Sequence, residues 1–133
     1  MTPAENPADE LAPRPKVFIV EDDFLIREYL CEMASDIGLD VVGTADRADE
    51  AASDILRHRP AFVFMDLRLR GTEDGVDAAH LVQAGLPETK IIYITGSSEP
   101  ASLERIATDH PHRVLIKPIS ERELRRAVGM PSV

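Results

Sequence analysis

The chain has 133 residues and a mass of 14.7 kDa, enough for one domain around one hydrophobic core. Its formal net charge of −9 argues against a nucleic-acid-binding module, which needs a basic face, and against docking on an anionic membrane surface. No apolar run approaches the roughly 20 residues that cross a bilayer, no basic-then-apolar start marks a secretory signal, and the single Cys31 rules out an internal disulfide and fits a reducing cytoplasm.

Residues 1–15 hold four of the ten prolines and almost no apolar periodicity, so they read as a disordered leader outside the core. Lys16 to Val20 is a short apolar strand that runs at once into Glu21, Asp22 and Asp23. Leu25, Ile26, Tyr29, Leu30, Met33, Ala34 and Ile37 then recur at helical spacing, and Gly38 stops that helix. Carboxylates at a strand-to-helix junction can cap the helix and suit its dipole. One acid suffices for that, and three in a row also suit a cation site.

Leu39 to Gly43 is expected to form a second strand, and Asp46 to cap a helix with Ala48, Ala51, Ala52, Ile55 and Leu56 on its buried face. Pro60 forbids its continuation, and His58 reads as a solvated residue at its end. Ala61 to Met65 is apolar without a break, as in a strand buried on both faces, and it ends on Asp66. In an open parallel α/β sheet the reactive residues lie just beyond the carboxyl ends of the strands. Asp66 is therefore either the cap of the following loop or a place for chemistry.

A short helix is expected around Val76 to Ala84, then a fourth strand from Lys90 to Ile94 ending in Thr95-Gly96-Ser97-Ser98. Pro100 opens a helix carrying Leu103, Ile106 and Ala107. His110-Pro111-His112 has no third ligand nearby and reads as a loop. Val114 to Ile116 is a fifth strand, ending in Lys117-Pro118. Ser120 and Glu123 form a capping-box pair for the last helix, with Leu124, Ala127 and Val128 inward and Arg122, Arg125 and Arg126 on the other side. Those arginines form either a solvated face or a docking face.

Five strands alternating with five helical stretches specify a doubly wound α/β sheet. Four strand ends carry Glu21-Asp22, Asp66, Thr95 and Lys117. Three carboxylates make a pocket of hard oxygen ligands that suits Mg²⁺, which takes one or two carboxylates together with a substrate phosphate. With their repulsion screened, Asp66 can attack phosphorus and form an acyl phosphate. A hydroxyl and an ammonium facing the same point can bind the phosphoryl oxygens.

On these residues the chain resembles the receiver domains of bacterial two-component response regulators, over about residues 16–128. Val17-Phe18-Ile19-Val20-Glu21-Asp22-Asp23 is similar to the family's first strand and acidic pair. Val63-Phe64-Met65-Asp66-Leu67-Arg68-Leu69 is similar to its phosphoacceptor strand, Ile94-Thr95-Gly96 to its switch hydroxyl, and Ile116-Lys117-Pro118 to its lysine and following proline. The separations, 44 residues from Asp22 to Asp66 and 22 from Thr95 to Lys117, fit the family's order. The resemblance implies a flavodoxin-like sheet of order 2-1-3-4-5. It also implies Mg²⁺ held by Glu21, Asp22, Asp66 and the backbone carbonyl of Arg68, with Thr95 and Lys117 beside the phosphoacceptor. A histidine kinase or histidine phosphotransfer protein is the implied phosphate donor.

Three positions depart from the family. Arg70 stands where many receivers carry proline, Gly96 where a small alanine usually follows the switch hydroxyl, and Val114 where an aromatic often moves between buried and exposed positions. With residues 129–133 as a short tail, the expectation is a single-domain regulator without an output domain. It would be monomeric or weakly dimeric and cytoplasmic, promoting its own phosphorylation and dephosphorylation, and acting through a downstream protein or a phosphorelay. Two other readings are a degenerate receiver that binds partners without phosphorylation, and a Mg²⁺-dependent aspartyl-phosphate phosphatase. The phosphatase usually has an acid two residues after its nucleophile, where this chain has Arg68.

Overall fold

Strands with no polar alternation need cover on both faces, and the order of elements supplies it. The computed structural model describes residues 13–67, 74–96 and 112–129. Five parallel strands, β1 (Lys16–Val20), β2 (Asp40–Ala45), β3 (Phe62–Met65), β4 (Lys90–Thr95) and β5 (Arg113–Ile116), form one sheet of order β2-β1-β3-β4-β5. Among the described residues four helices accompany them: α1 (Phe24–Asp36), α2 (Ala48–His58), α3 (Asp74–Gly85) and α4 (Glu121–Ala127). The doubly wound α/β architecture expected from the sequence is the one observed. No helix among the described residues is long and apolar enough to cross a membrane.

Successive strand side chains point to opposite faces, and the two faces have separate cores. Val17, Ile19, Phe62, Phe64, Ile92 and Ile94 pack with Leu30, Met33 and Ala34 of α1 and Leu124 and Ala127 of α4. Phe18, Val20, Val63, Met65, Ile91 and Tyr93 pack on the other face with Ala51, Ala52 and Ile55 of α2 and Val76, Ala79 and Val82 of α3. β1, β3 and β4 are therefore central, and their carboxyl ends are held rigidly side by side.

The helix boundaries follow local chemistry. Asp23 caps α1 by accepting from the Ile26 amide at 3.0 Å, and Gly38 ends it with φ of 99°, a left-handed conformation open to glycine. Asp46 does not cap α2. Arg47 occupies the N-cap position without a side-chain capping bond, its guanidinium donating to Asp49 at 3.0 Å, and Asp49 and Glu50 in the first turn supply the negative charge that the dipole favours. α2 stops before Pro60, where Arg59 turns left-handed at φ 52°. Ser120 and Glu123 form the expected capping box of α4.

Other elements differ by a few residues from the sequence reading: β2 runs to Ala45 and α3 fills 74–85. Leu25 and Tyr29, counted among the periodic apolar positions of α1, are exposed together with Phe24. The buried stripe is centred on Leu30, Met33 and Ala34, and the 3.6-residue turn carries Leu25 and Tyr29 round to its edge. The leader and the helix expected after Pro100 lie outside the described residues, apart from Pro13, Arg14 and Pro15. Of His110-Pro111-His112 only His112 is described, and its Nε2 lies 3.0 Å from the Ala127 carbonyl at the end of α4.

Candidate functional site

β1 delivers the chain directly to Glu21 and Asp22, at the centre of the sheet's carboxyl edge. Asp23 is committed to capping α1, so one of the three acids serves the helix and two remain. Glu21 is anchored on several sides. Its amide donates to Ala45 O at 3.0 Å, its Oε2 accepts from the Asp23 amide at 3.1 Å, and its carbonyl accepts from Arg27 Nη1 at 2.9 Å. Arg27, whose guanidinium lies 5.5 Å from the centroid of the Phe24 ring, thus fixes the backbone of the acidic pair from one turn into α1.

Asp66 follows β3 immediately, and its amide donates to Val20 O at 3.0 Å, which locks it beside Glu21. Glu21 and Asp66 are buried, and Asp22 is partly exposed. One carboxylate oxygen from each of the three lies within 4.8 Å of the others. From the far side of the sheet Lys117 reaches in: its Nζ is 2.7 Å from Glu21 Oε1, an ion pair, and donates to Asp66 Oδ2 at 3.2 Å. Thr95 is the last residue of β4 and fully buried, and its carbonyl accepts from the Lys117 amide at 2.8 Å. The Lys117–Pro118 peptide bond is cis.

Burial pushes the Glu21 carboxyl up to about 7, with the Asp66 charge adding to the rise and Lys117 opposing it. Burial also opposes the charge on Lys117, but its close ion pair with Glu21 and the charge of Asp66 outweigh it and raise that ammonium further. Three carboxylates held together against one ammonium leave the pocket short of positive charge. An all-oxygen, partly solvated set of this kind fits Mg²⁺, and Glu21, Asp22 and Asp66 are the residues that could hold it. The carbonyl of Arg68, like Arg70 and the loop beyond Gly96, lies outside the described residues.

Two contributors to the site escaped the sequence reading. Arg27 is one; its spacing of six residues from Glu21 is the only sequence signal. Gly75 is the other: a Cβ there would overlap the backbone carbonyl oxygen of Asp66, so the first turn of α3 can close against the Asp66 backbone only at a glycine. Gly96, by contrast, has no positive φ, and among the described residues nothing lies within 4 Å of a Cβ placed there. On α4, Arg122 and Arg126 are exposed, while Arg125 reaches Glu121 at 3.4 Å.

The family model described as the response regulator receiver domain matches residues 17–129. The chain is 34% identical over 130 residues to the transcriptional regulatory protein PdtaR of Mycobacterium tuberculosis, with 98% of this chain and 62% of that protein covered. The chain thus spans less than two thirds of that relative's length. Among solved structures, the receiver domain of a modulated diguanylate cyclase from Desulfovibrio desulfuricans G20 superimposes with a TM-score of 0.81 at 32% identity, covering 88% of this chain and 92% of that one. A CheY-like receiver domain from Methanospirillum hungatei JF-1 gives a TM-score of 0.80 at 20% identity over the same shares, a likeness of fold.

Proposed function

The chain belongs to the response regulator receiver domain family, and from that premise we propose that it accepts a phosphoryl group on Asp66 from the phosphohistidine of a histidine kinase or a histidine phosphotransfer protein. The observation that carries this reading is the contact of Lys117 Nζ with both Glu21 and Asp66 beside the three-carboxylate cluster. A carboxylate already matched to an ammonium and a cation site is placed to receive a dianionic group.

In the reaction an Asp66 oxygen forms a bond to phosphorus as the donor's N–P bond breaks, and the departing imidazole takes up a proton. Glu21 and Asp22, with Asp66, are the residues that would hold Mg²⁺, which would supply positive charge to the phosphoryl oxygens. Lys117, tied to Asp66 before transfer, stays close enough to pair with a phosphoryl oxygen afterwards. The Thr95 hydroxyl, one strand over, donates to another. The exposed Phe24, Leu25 and Tyr29 of α1 lie beside this mouth and offer the donor protein an apolar surface.

Once phosphorylated, Asp66 carries about −1.5 to −2 charges. The signal then passes through contacts with a downstream protein or by onward transfer of the phosphoryl group. Incubation with Mg²⁺ and a small acyl-phosphate donor, followed by intact-mass measurement, tests the reading. A gain of one phosphoryl group that depends on Asp66 supports it. A protein that stays unmodified yet still binds a partner is instead a phosphorylation-independent module.

A further inference from the structure

Thr95 ends β4 fully buried, and Tyr93, two residues earlier, shares its face of the strand. Ile91 and Tyr93 pack into the core beneath α2 and α3, whereas Ile92 and Ile94 pack into the opposite one. Tyr93 is 1% exposed and is the largest fully buried side chain among the described residues. Its register neighbours are Met65, immediately before Asp66, and Val114 on β5. The ring therefore stands on the strand that ends on the hydroxyl, between the strand that ends on the phosphoacceptor and a small side chain on the third.

Val114 is β-branched and held to few rotamers, so it cannot follow a change on this face. The Tyr93 ring turns about two side-chain torsions, and Val114 packs against the same core cluster. We propose that Tyr93 is the coupling residue of this domain. Movement of the Thr95 hydroxyl toward an acceptor oxygen on Asp66 alters the space beside the ring, and the ring repositions over Val114, carrying the change into the core under α2 and α3. The inference rests on Asp66 being the phosphoacceptor.

The chain has no tryptophan and two tyrosines, the other being the half-exposed Tyr29 on α1. A Tyr29→Phe protein made with fluorotyrosine therefore carries one fluorine probe, at Tyr93. Fluorine NMR with Mg²⁺, before and after adding beryllofluoride as a phosphoryl mimic, reads two things in one spectrum: the bound mimic through its own signals, and the ring through the probe. The expected result is a shifted Tyr93 signal whenever the mimic is bound. In Thr95→Val, with the mimic raised until its bound signals are complete, the probe should stay at its starting position.

A bound mimic with an unmoved Tyr93 probe overturns the inference and leaves the phosphoacceptor reading standing. A shift that persists in Thr95→Val also overturns it, because the route would bypass the hydroxyl. Failure of the mimic to bind at all overturns the phosphoacceptor reading, and the inference with it. A second variant separates coupling from packing. Tyr93→Leu should gain a phosphoryl group to the same extent by mass, yet lose the mimic-induced change in amide exchange over α3, which Tyr93→Phe should retain. An α3 response that survives in Tyr93→Leu counts against the ring.

Discussion

Lys117 follows Asp66 by 51 residues in the chain, yet its Nζ donates to Asp66 Oδ2 at 3.2 Å while standing 2.7 Å from Glu21 Oε1. The ammonium occupies part of the negative field that a metal would otherwise find. Removing it should make the pocket more attractive to a cation. Lys117→Ala is expected to bind Mg²⁺ about tenfold more tightly, a change of about 1.4 kcal/mol, while the response of a partner to phosphorylation is lost. Calorimetric titration measures the first effect, and weaker binding would show that Lys117 does not compete for these carboxylates.

Asp22 has the opposite role. It is one of three convergent carboxylates but only partly buried, so the fold depends on it little. Asp22→Ala should weaken Mg²⁺ binding by at least tenfold and leave the metal-free unfolding midpoint nearly unchanged. An unaltered titration curve removes Asp22 from the site.

Glu21 makes stability depend on pH. Its folded value of about 7 lies above the ordinary 4.5 of a glutamate, because burial disfavours the charge. Between these values the folded protein holds a proton that the unfolded chain has released. Metal-free stability should therefore fall as pH rises from about 4.5 to 7 and level off above, with Glu21 contributing about 3 kcal/mol. Urea unfolding at pH 5 and pH 8 measures it. Glu21→Gln should remove most of this difference, and so should saturating Mg²⁺, which favours the charged carboxylate. If wild type and Glu21→Gln depend on pH alike, the burial argument fails.

Two glycines of α3 offer a contrast. A Cβ at Gly75 meets the backbone of Asp66, which cannot yield without moving the phosphoacceptor, whereas a Cβ at Gly85 meets only the end of the Leu56 side chain. Gly75→Ala should cost roughly 1–3 kcal/mol and slow phosphorylation, and Gly85→Ala should cost less than 1 kcal/mol. Equal costs in thermal unfolding would mean that the Gly75 contact does not constrain the site.

The sheet was legible because its strands are short, largely apolar runs punctuated by Gly38, Pro60 and Pro118, and the candidate site because four of the five strand ends carry a different reactive group. What stayed hidden depends on three-dimensional closeness. Arg27 acts on a backbone carbonyl, for which the sequence has no code. Gly75 acts by lacking an atom. The exposure of Leu25 and Tyr29 follows from where the buried stripe is centred, and several apolar residues in succession blur that centre. Asp46 was read as a cap from residue type alone, although the chain begins its helical turn one residue later.

The central claim is that Asp66 takes the phosphoryl group. Wild type and Asp66→Asn, each with Mg²⁺ and a small acyl-phosphate donor, should be compared by intact mass and by peptide mapping after borohydride trapping of the acyl phosphate. The account predicts a gain of one phosphoryl group in wild type, mapped to Asp66 and absent from Asp66→Asn; labelling of the variant to the wild-type extent would contradict it.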